Sequence, residues 1–316
     1  MTIASDIAAA ASDGQRLCPS CGAPSPIAPS DELWPPTWRC ASCSYVLPRA
    51  TGFAQLAAPL DETNEGFDLE GIDPLATVEE DHFWFGNRNE LVRWLVRRHA
   101  PAAERVLEIG CGTGFVLSAL RQVLPTARIT GSELHSRGLA AARRRLGEAV
   151  ELIQMDARHC HLAETVDLVG AFDVLEHIPQ DEAALEEIAR ILKPGGILIA
   201  TVPQHPWMWS TADDLAHHQR RYRLGELARK ARAAGLQPLY QSSFTTLAFP
   251  VMAAMRLVER LRPTRQSLAA ISETHLNVNP AVNGALRGLG RLEQGLRRVG
   301  VPLPFGGSQV LVARRP

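Results

Sequence analysis

Glu108-Ile109-Gly110-Cys111-Gly112-Thr113-Gly114 follows an apolar run over 105–109 and precedes a helical pattern over 114–123. Alternate glycines let the chain turn sharply and let a ligand approach the backbone. Strand, glycine turn and helix in that order place a ligand site at the carboxyl end of the strand. The spacing alone suits a dinucleotide nearly as well. Two details narrow the choice. Phe115 and Val116 follow Gly114, so the third glycine of GxGxxG is missing. Glu108 puts a carboxylate where it can pair with a cationic amino group.

Working outward, residues 101–242 alternate apolar runs (128–132, 150–154, 166–171, 197–201) with helical patterns (137–146, 181–192) and a short turn near 157–162. That alternation predicts an α/β fold built on a parallel sheet. The strand ends carry residues suited to a nucleoside. Glu133, which precedes Leu134, can accept both hydroxyls of a ribose. Asp156, which precedes Ala157, suits the exocyclic amine of adenine. Phe172 and Asp173 open the next loop, Phe172-Asp173-Val174-Leu175-Glu176-His177-Ile178-Pro179. Lys193-Pro194-Gly195-Gly196 is a helix stop before the fifth strand.

As a set, VLEIGCGTG, GSEL, MDA, FDVLEHIP and LKPGG resemble the class I methyltransferases that use S-adenosylmethionine (SAM), in their ubiquinone-biosynthesis-like subgroup. The resemblance covers about 140 residues. It implies a Rossmann-like α/β fold whose seven-stranded, mostly parallel sheet has helices on both faces, and an enzyme that transfers a methyl group. It implies SAM held by Glu108, Gly110, Cys111, Gly112, Gly114, Glu133, Leu134, Asp156, Ala157, Phe172 and Asp173. With so electrophilic a methyl donor, alignment and exclusion of water do much of the work. A base is needed where the acceptor is a hydroxyl of high pKa.

Two stretches suggest the acceptor side. His82-Phe83-Trp84-Phe85 and Arg88 begin the helix expected over 87–99, which in this fold can cap the cofactor. They would either line the acceptor pocket or staple the cap to the sheet. After the fifth strand come His205, Trp207, His218, Arg221 and Tyr222. Here His205, His218 and Tyr222 are candidate bases, with His177 from the cofactor loop, while Trp207 and Arg221 are candidate acceptor contacts. A hydrogen-bonded structural role is the competing account of each histidine. HFWFxxRN, TVPQHPWMWS and HHxRRYR are similar to a bacterial methyltransferase subgroup, and the similarity reaches Asn279-Pro280-Ala281-Val282-Asn283. Its associations are with glycan, lipid-linked and natural-product metabolism.

Cys18, Cys21, Cys40 and Cys43 form two CxxC pairs separated by 18 residues. Four thiolates at this spacing predict a structural Zn ribbon. Arg158-His159-Cys160-His161 looks metal-like, but its side chains fan out around one turn. A ribbon ahead of such a domain also resembles certain ribosomal RNA methyltransferases. Against RNA, residues 16–50 hold only Arg16, Arg39 and Arg49 as cations. Trp34 and Trp38 would stack bases or pack the ribbon.

The 316 residues carry a net charge of −1, unevenly spread. Residues 1–100 hold 7 Arg and 14 Asp+Glu; residues 251–316 hold 10 Arg and 3 Glu. The basic tail alternates apolar and Arg positions at helical spacing. It predicts helices that cover the acceptor side, form a homodimer face, or dock on an anionic membrane. The first residues lack a secretory pattern, and no apolar run is long enough to span a bilayer, so a cytoplasmic protein is expected. The chain divides into a flexible arm (1–15), a zinc ribbon (16–50), an acidic linker and cap helix (51–100), the SAM-binding core (101–242) and a helical extension with a final strand (243–316). The expected activity is methyl transfer to a small or lipid- or glycan-linked metabolite, O-transfer before C- or N-transfer. RNA methylation and SAM binding without catalysis are the rivals.

Overall fold

A computed structural model describes residues 14–57, 72–261 and 278–316. The arm over 1–13, most of the acidic linker (58–71) and the stretch 262–277 lie outside these residues. In chain order, β1 (Gln15–Leu17), β2 (Pro24–Pro26) and β3 (Ala54–Gln55) precede helices α1 (Ile72–Val78) and α2 (Phe83–His99). Then β4 (Arg105–Ile109), α3 (Phe115–Val123), β5 (Arg128–Glu133), α4 (Ser136–Leu146) and β6 (Glu151–Gln154) follow. After β7 (Leu162–Ala163) come β8 (Val166–Phe172), α5 (Asp181–Ile191), β9 (Leu192–Pro203), α6 (Thr211–Leu215), α7 (Glu226–Ala233) and β10 (Gln237–Phe244). The chain closes with α8 (Phe249–Leu261), α9 (Pro280–Arg298) and β11 (Ser308–Arg314).

Among the described residues, eight strands make the main sheet, in the order β10-β11-β9-β8-β4-β5-β6-β3. β11 is antiparallel to both its neighbours, and the other pairings are parallel. Its central strands are apolar on both faces because helices cover both, and all five residues of β4 are buried. Neighbours lie on opposite sides of β4: β5 on one, β8 on the other. The crevice above such a reversal is where open α/β sheets bind ligands.

Three expectations need correction. The sheet has the seven expected strands plus β3, from the stretch read as linker, which pairs with the edge strand β6. The division at 242/243 cuts through β10, and β11 from the far tail sits inside the sheet, so the core is not complete within 101–242. The cap helix starts at Phe83, not Asn87, because the His82 side chain accepts the Trp84 N–H at 3.2 Å as an N-cap.

The ribbon packs on the sheet rather than standing apart. β1 pairs with β7, and Ile27, Leu33, Trp34 and Leu47 share one apolar core with Ile153, Met155 and Leu162. Two ionisable residues of the sheet, Arg105 and Glu151, grip it. Arg105 donates to the Asp31, Ala28 and Pro29 carbonyls, and Glu151 accepts the Leu33 and Trp34 N–H groups at 2.7 and 2.6 Å. Burial raises the Glu151 carboxyl above its ordinary range, although these N–H bonds work against the rise.

The Asn-Pro-Ala-Val-Asn stretch begins α9. Asn279 caps it by accepting from Ala281, and Asn283 accepts the Phe83 N–H at 2.7 Å while donating to the Asp81 carbonyl. α9 therefore holds the start of the cap helix. No helix of the described residues is long and apolar enough to cross a membrane.

Candidate active site

A cavity of about 310 Å³ opens at the carboxyl ends of β4, β5, β6 and β8, beneath α2. That size suits a small molecule. At its floor, Gly110 takes φ +66°, and a Cβ there would sit 2.4 Å from Val174. Only glycine lets the loops after β4 and β8 meet so closely. Gly112 and Cys111 also line the cavity. Gly114 does not. It lies behind the loop, where a Cβ would strike Leu146 and Ala142 of α4, so the glycine lets the loop pack closely on that helix.

Glu108, Leu134, Ala157, Phe172 and Asp173 line the cavity as expected, with Glu133 and Asp156. The Glu108 carboxylate is buried, and its Oε2 has no hydrogen-bond partner. Burial pushes its carboxyl well above the usual range; Arg88 opposes the rise, and Glu133 and Glu79 add to it. This is the environment of an acid that lacks a cation. Glu133 is partly engaged, accepting the Gly112, Leu134 and His135 N–H groups at 3.1, 2.8 and 3.2 Å. Asp156 is clasped by Arg158 at 2.7 Å. Burial disfavours its charge, yet the hydrogen bonds from Arg158 outweigh burial and hold its carboxyl below the usual range.

Residues 107–200 match the family model described as a methyltransferase domain. The trans-aconitate 2-methyltransferase of an Azoarcus strain is 33% identical over 146 residues, which is 46% of this chain and 55% of that one. The ubiquinone biosynthesis O-methyltransferase of Pseudomonas aeruginosa is 30% identical over 143 residues, 40% of this chain and 60% of that one. The chain thus spans less than two thirds of the length of either relative. The solved geranyl diphosphate C-methyltransferase of Streptomyces coelicolor aligns over 72% of this chain and 79% of its own at 14% identity, with a TM-score of 0.49. This chain carries a SAM-dependent methyltransferase domain. The carboxylates and glycines around its cavity are those that the sequence assigns to SAM, Gly114 excepted.

The residues expected on the acceptor side separate. Trp84, Phe85, Arg88, His177 and His218 line the cavity. Arg88 lies over the Trp84 ring at 4.8 Å and donates to Asp173 at 2.7 Å. His177 and His218 meet edge to face, 4.8 Å apart. Burial pushes the His177 imidazole down to about 3, with His218 adding to the fall. At neutral pH it is an uncharged ring and a weak base. His218 is oriented by Asp213, whose Oδ1 lies 2.8 Å from Nδ1.

The other candidates lie elsewhere. Tyr222 is fully buried and donates to Asp181 at 2.7 Å; burial and that carboxylate lock the proton on, so it is no base. His205 stands outside the cavity lining, against Trp207, Phe249 and Phe305. Trp207 packs in that cluster, is 46% exposed and does not line the cavity. Arg221 is committed to Asp213 at 2.7 Å. Phe83 borders a separate space of about 20 Å³, room for a water at most. His82 is a helix cap.

Several participants escaped the sequence reading. Glu79 accepts the Thr113 hydroxyl at 2.6 Å and pairs with Arg145 at 2.7 Å, tying the segment after α1 to the glycine loop. Arg145 also lies over Phe115, a cavity-lining ring. Thr113 stood in the loop itself, but nothing in sequence linked it to residues 34 and 32 positions away.

The four ribbon cysteines come together, with all ligand atoms within 4.8 Å. The Cys18–Cys43 and Cys21–Cys40 sulfurs are 3.7 Å apart. The cluster can hold a metal. Cys160 belongs to no such cluster among the described residues: its thiol is buried against the Ala157 carbonyl.

Proposed function

We propose that this chain methylates a small or lipid-linked metabolite, most readily at oxygen. What carries the assignment is the buried Glu108 carboxylate, whose Oε2 has no partner, at the cavity floor beside Gly110. That is the group a methionine ammonium would satisfy. Glu133 would take the ribose, and Asp156 with Arg158 would face the adenine. When bound, SAM supplies an electrophilic methyl group on a sulfonium. The chain's own share is to bind, align and exclude water. Glu79, Arg145 and α9 support this by fixing the cap over the cavity.

The cavity wall supports a compact acceptor. Trp84, Phe85, Phe115, Phe172 and Ile178 give it apolar surface, and Arg88, His177 and His218 stand among them as polar groups that can orient an acceptor. A lipid-linked acceptor draws support from the tail helices. α8 and α9 expose Val251, Met255, Leu257, Val258, Leu289 and Leu292, with Arg291 and Arg298 also exposed. Such a face suits an anionic membrane.

The ribbon supports a structural role for zinc. A tetrahedral ion with Zn–S near 2.3 Å sets sulfurs about 3.8 Å apart, close to the spacing here. Two of its three cations are tied to backbone carbonyls of the ribbon, and only Arg39 is exposed. Arg16 donates to the Leu33, Pro26 and Glu32 carbonyls, Arg49 to that of Trp34, and Trp34 is buried. This leaves little positive face for RNA.

The test uses methyl-labelled SAM, the purified chain and a bacterial extract split into RNA, lipid and small-metabolite fractions. Label in the lipid or small-metabolite fraction is expected. RNase-sensitive label in the RNA fraction would replace this acceptor class with RNA. SAM binding with no label in any fraction would mark a non-catalytic binder.

A further inference from the structure

We propose that Glu176, His177 and His218 bind a divalent transition-metal cation at the acceptor end of the cavity, a site distinct from the four cysteines. Their ligand atoms lie within 4.8 Å of one another. Glu176 and His177 share the short 3-10 turn Leu175–His177 after β8, and His218 follows α6. A backbone hydrogen bond joins the two segments: Gln219 N–H donates to the Glu176 carbonyl at 2.7 Å.

Glu176 is the decisive member. Its side chain is wholly buried, and neither carboxylate oxygen has a hydrogen-bond partner. A buried carboxylate without donors is costly unless a cation meets it. The nearby protein cations are committed elsewhere: Arg88 to Asp173 at 2.7 Å, and Arg221 to Asp213 at 2.7 Å. The protein thus supplies an acid with nothing to neutralise it except a proton or a metal.

The imidazoles are set as ligands. His218 turns Nδ1 to Asp213, so its neutral form donates there and leaves Nε2 as a lone pair. A carboxylate behind a histidine is the usual support of a metal ligand. His177 is oriented by the Ala216 carbonyl. Two imidazoles and one carboxylate suit Mn(II), Fe(II) or Zn(II) and leave coordination positions open. His177 and His218 both line the cavity, so those positions face the space assigned to the acceptor. Resting on the methyltransferase reading, the ion would hold an acceptor oxygen and lower its pKa. His177 would then be a ligand.

The experiment titrates Mn(II) into the full chain with its cysteine cluster zinc-loaded, following free Mn(II) by electron paramagnetic resonance. Thiolates favour zinc, and manganese reports the harder site. The wild type is expected to take up one Mn(II), and Glu176→Gln to bind about tenfold or more weakly. Asp213→Asn tests the positioning role, with about a tenfold loss expected. SAM affinity, measured in parallel, should stay unchanged in Glu176→Gln and so report that the variant is folded. Equal Mn(II) binding by wild type and Glu176→Gln, or none by the wild type, would overturn the site. Mn(II) uptake without SAM binding would support the metal site while ending the methyltransferase reading, so the two failures are separable.

Discussion

The Arg88 guanidinium, on the helix that caps the cavity, donates to the Asp173 carboxylate at 2.7 Å, on the loop after β8. Both side chains are largely buried, and Asp173 adopts φ +58°, a strained turn that this contact and the Thr201 hydroxyl at 3.1 Å help to hold. Arg88→Ala leaves a buried carboxylate unpaired beside Glu176 and Glu108. It should lower stability to urea by about 3–5 kcal/mol. Adding Asp173→Ala should recover part of that loss, because the two changes share one interaction. Simple additivity in the double-mutant cycle would refute the coupling.

Glu133→Ala and Asp156→Ala should each weaken SAM binding by about 1–3 kcal/mol, through lost charge-assisted hydrogen bonds. Arg158→Ala should weaken it too, because Asp156 would lose its clasp. Isothermal titration calorimetry checks all three, and unchanged affinity in the first two would remove the cofactor from this end of the cavity.

The ribbon and the sheet should lose order together. Glu151→Ala strands the Leu33 and Trp34 N–H groups. Chelating a metal loaded onto the four cysteines would free the knuckles that frame the same segment. Either change should expose Trp34, red-shift tryptophan emission and lower the melting temperature of the whole chain. A ribbon that melts while the core transition stays put would show that the two fold independently.

Asp181 is the acid-sensitive tie. It accepts from Tyr222 at 2.7 Å and pairs with Lys230 and Arg220 at 2.6 Å each. Burial opposes its charge, but these partners prevail, Lys230 foremost, and hold its carboxyl below the usual carboxylate range. A folded-state value below the unfolded one means stability that is present above about pH 4 and fades as pH falls through the folded value. Asp181→Asn should therefore cost about 3–5 kcal/mol at pH 7 and markedly less near pH 3. Tyr222→Phe should cost about 1 kcal/mol and leave SAM affinity unchanged. Urea titrations at the two pH values decide the first, calorimetry the second.

The tail helices should bring the chain to anionic vesicles at low salt and release it as salt rises. Flotation with phosphatidylglycerol vesicles measures this. Loss of flotation on Leu257→Glu with Leu292→Glu would locate the contact on α8 and α9. No flotation in the wild type at low salt would end the membrane reading and leave a dimer face, which sedimentation can test.

The sequence by itself determined the strand–helix alternation, the glycine loop after β4, the acidic residues at the strand ends and the two CxxC pairs. These are local patterns, in which a few neighbouring residues dictate a turn, a strand or a knuckle. Only the tertiary structure decided what depends on distant partners. It put β11 inside the sheet and β10 at its edge, and bound Asn283 to Phe83 across 200 positions. It withdrew Tyr222 and His205 from the site, since burial against Asp181 and packing against Phe249 leave no trace in the sequence around them. It gathered Glu176, His177 and His218 for the same reason: a loop after one strand and a turn after a later helix become neighbours only once the sheet has set their heights.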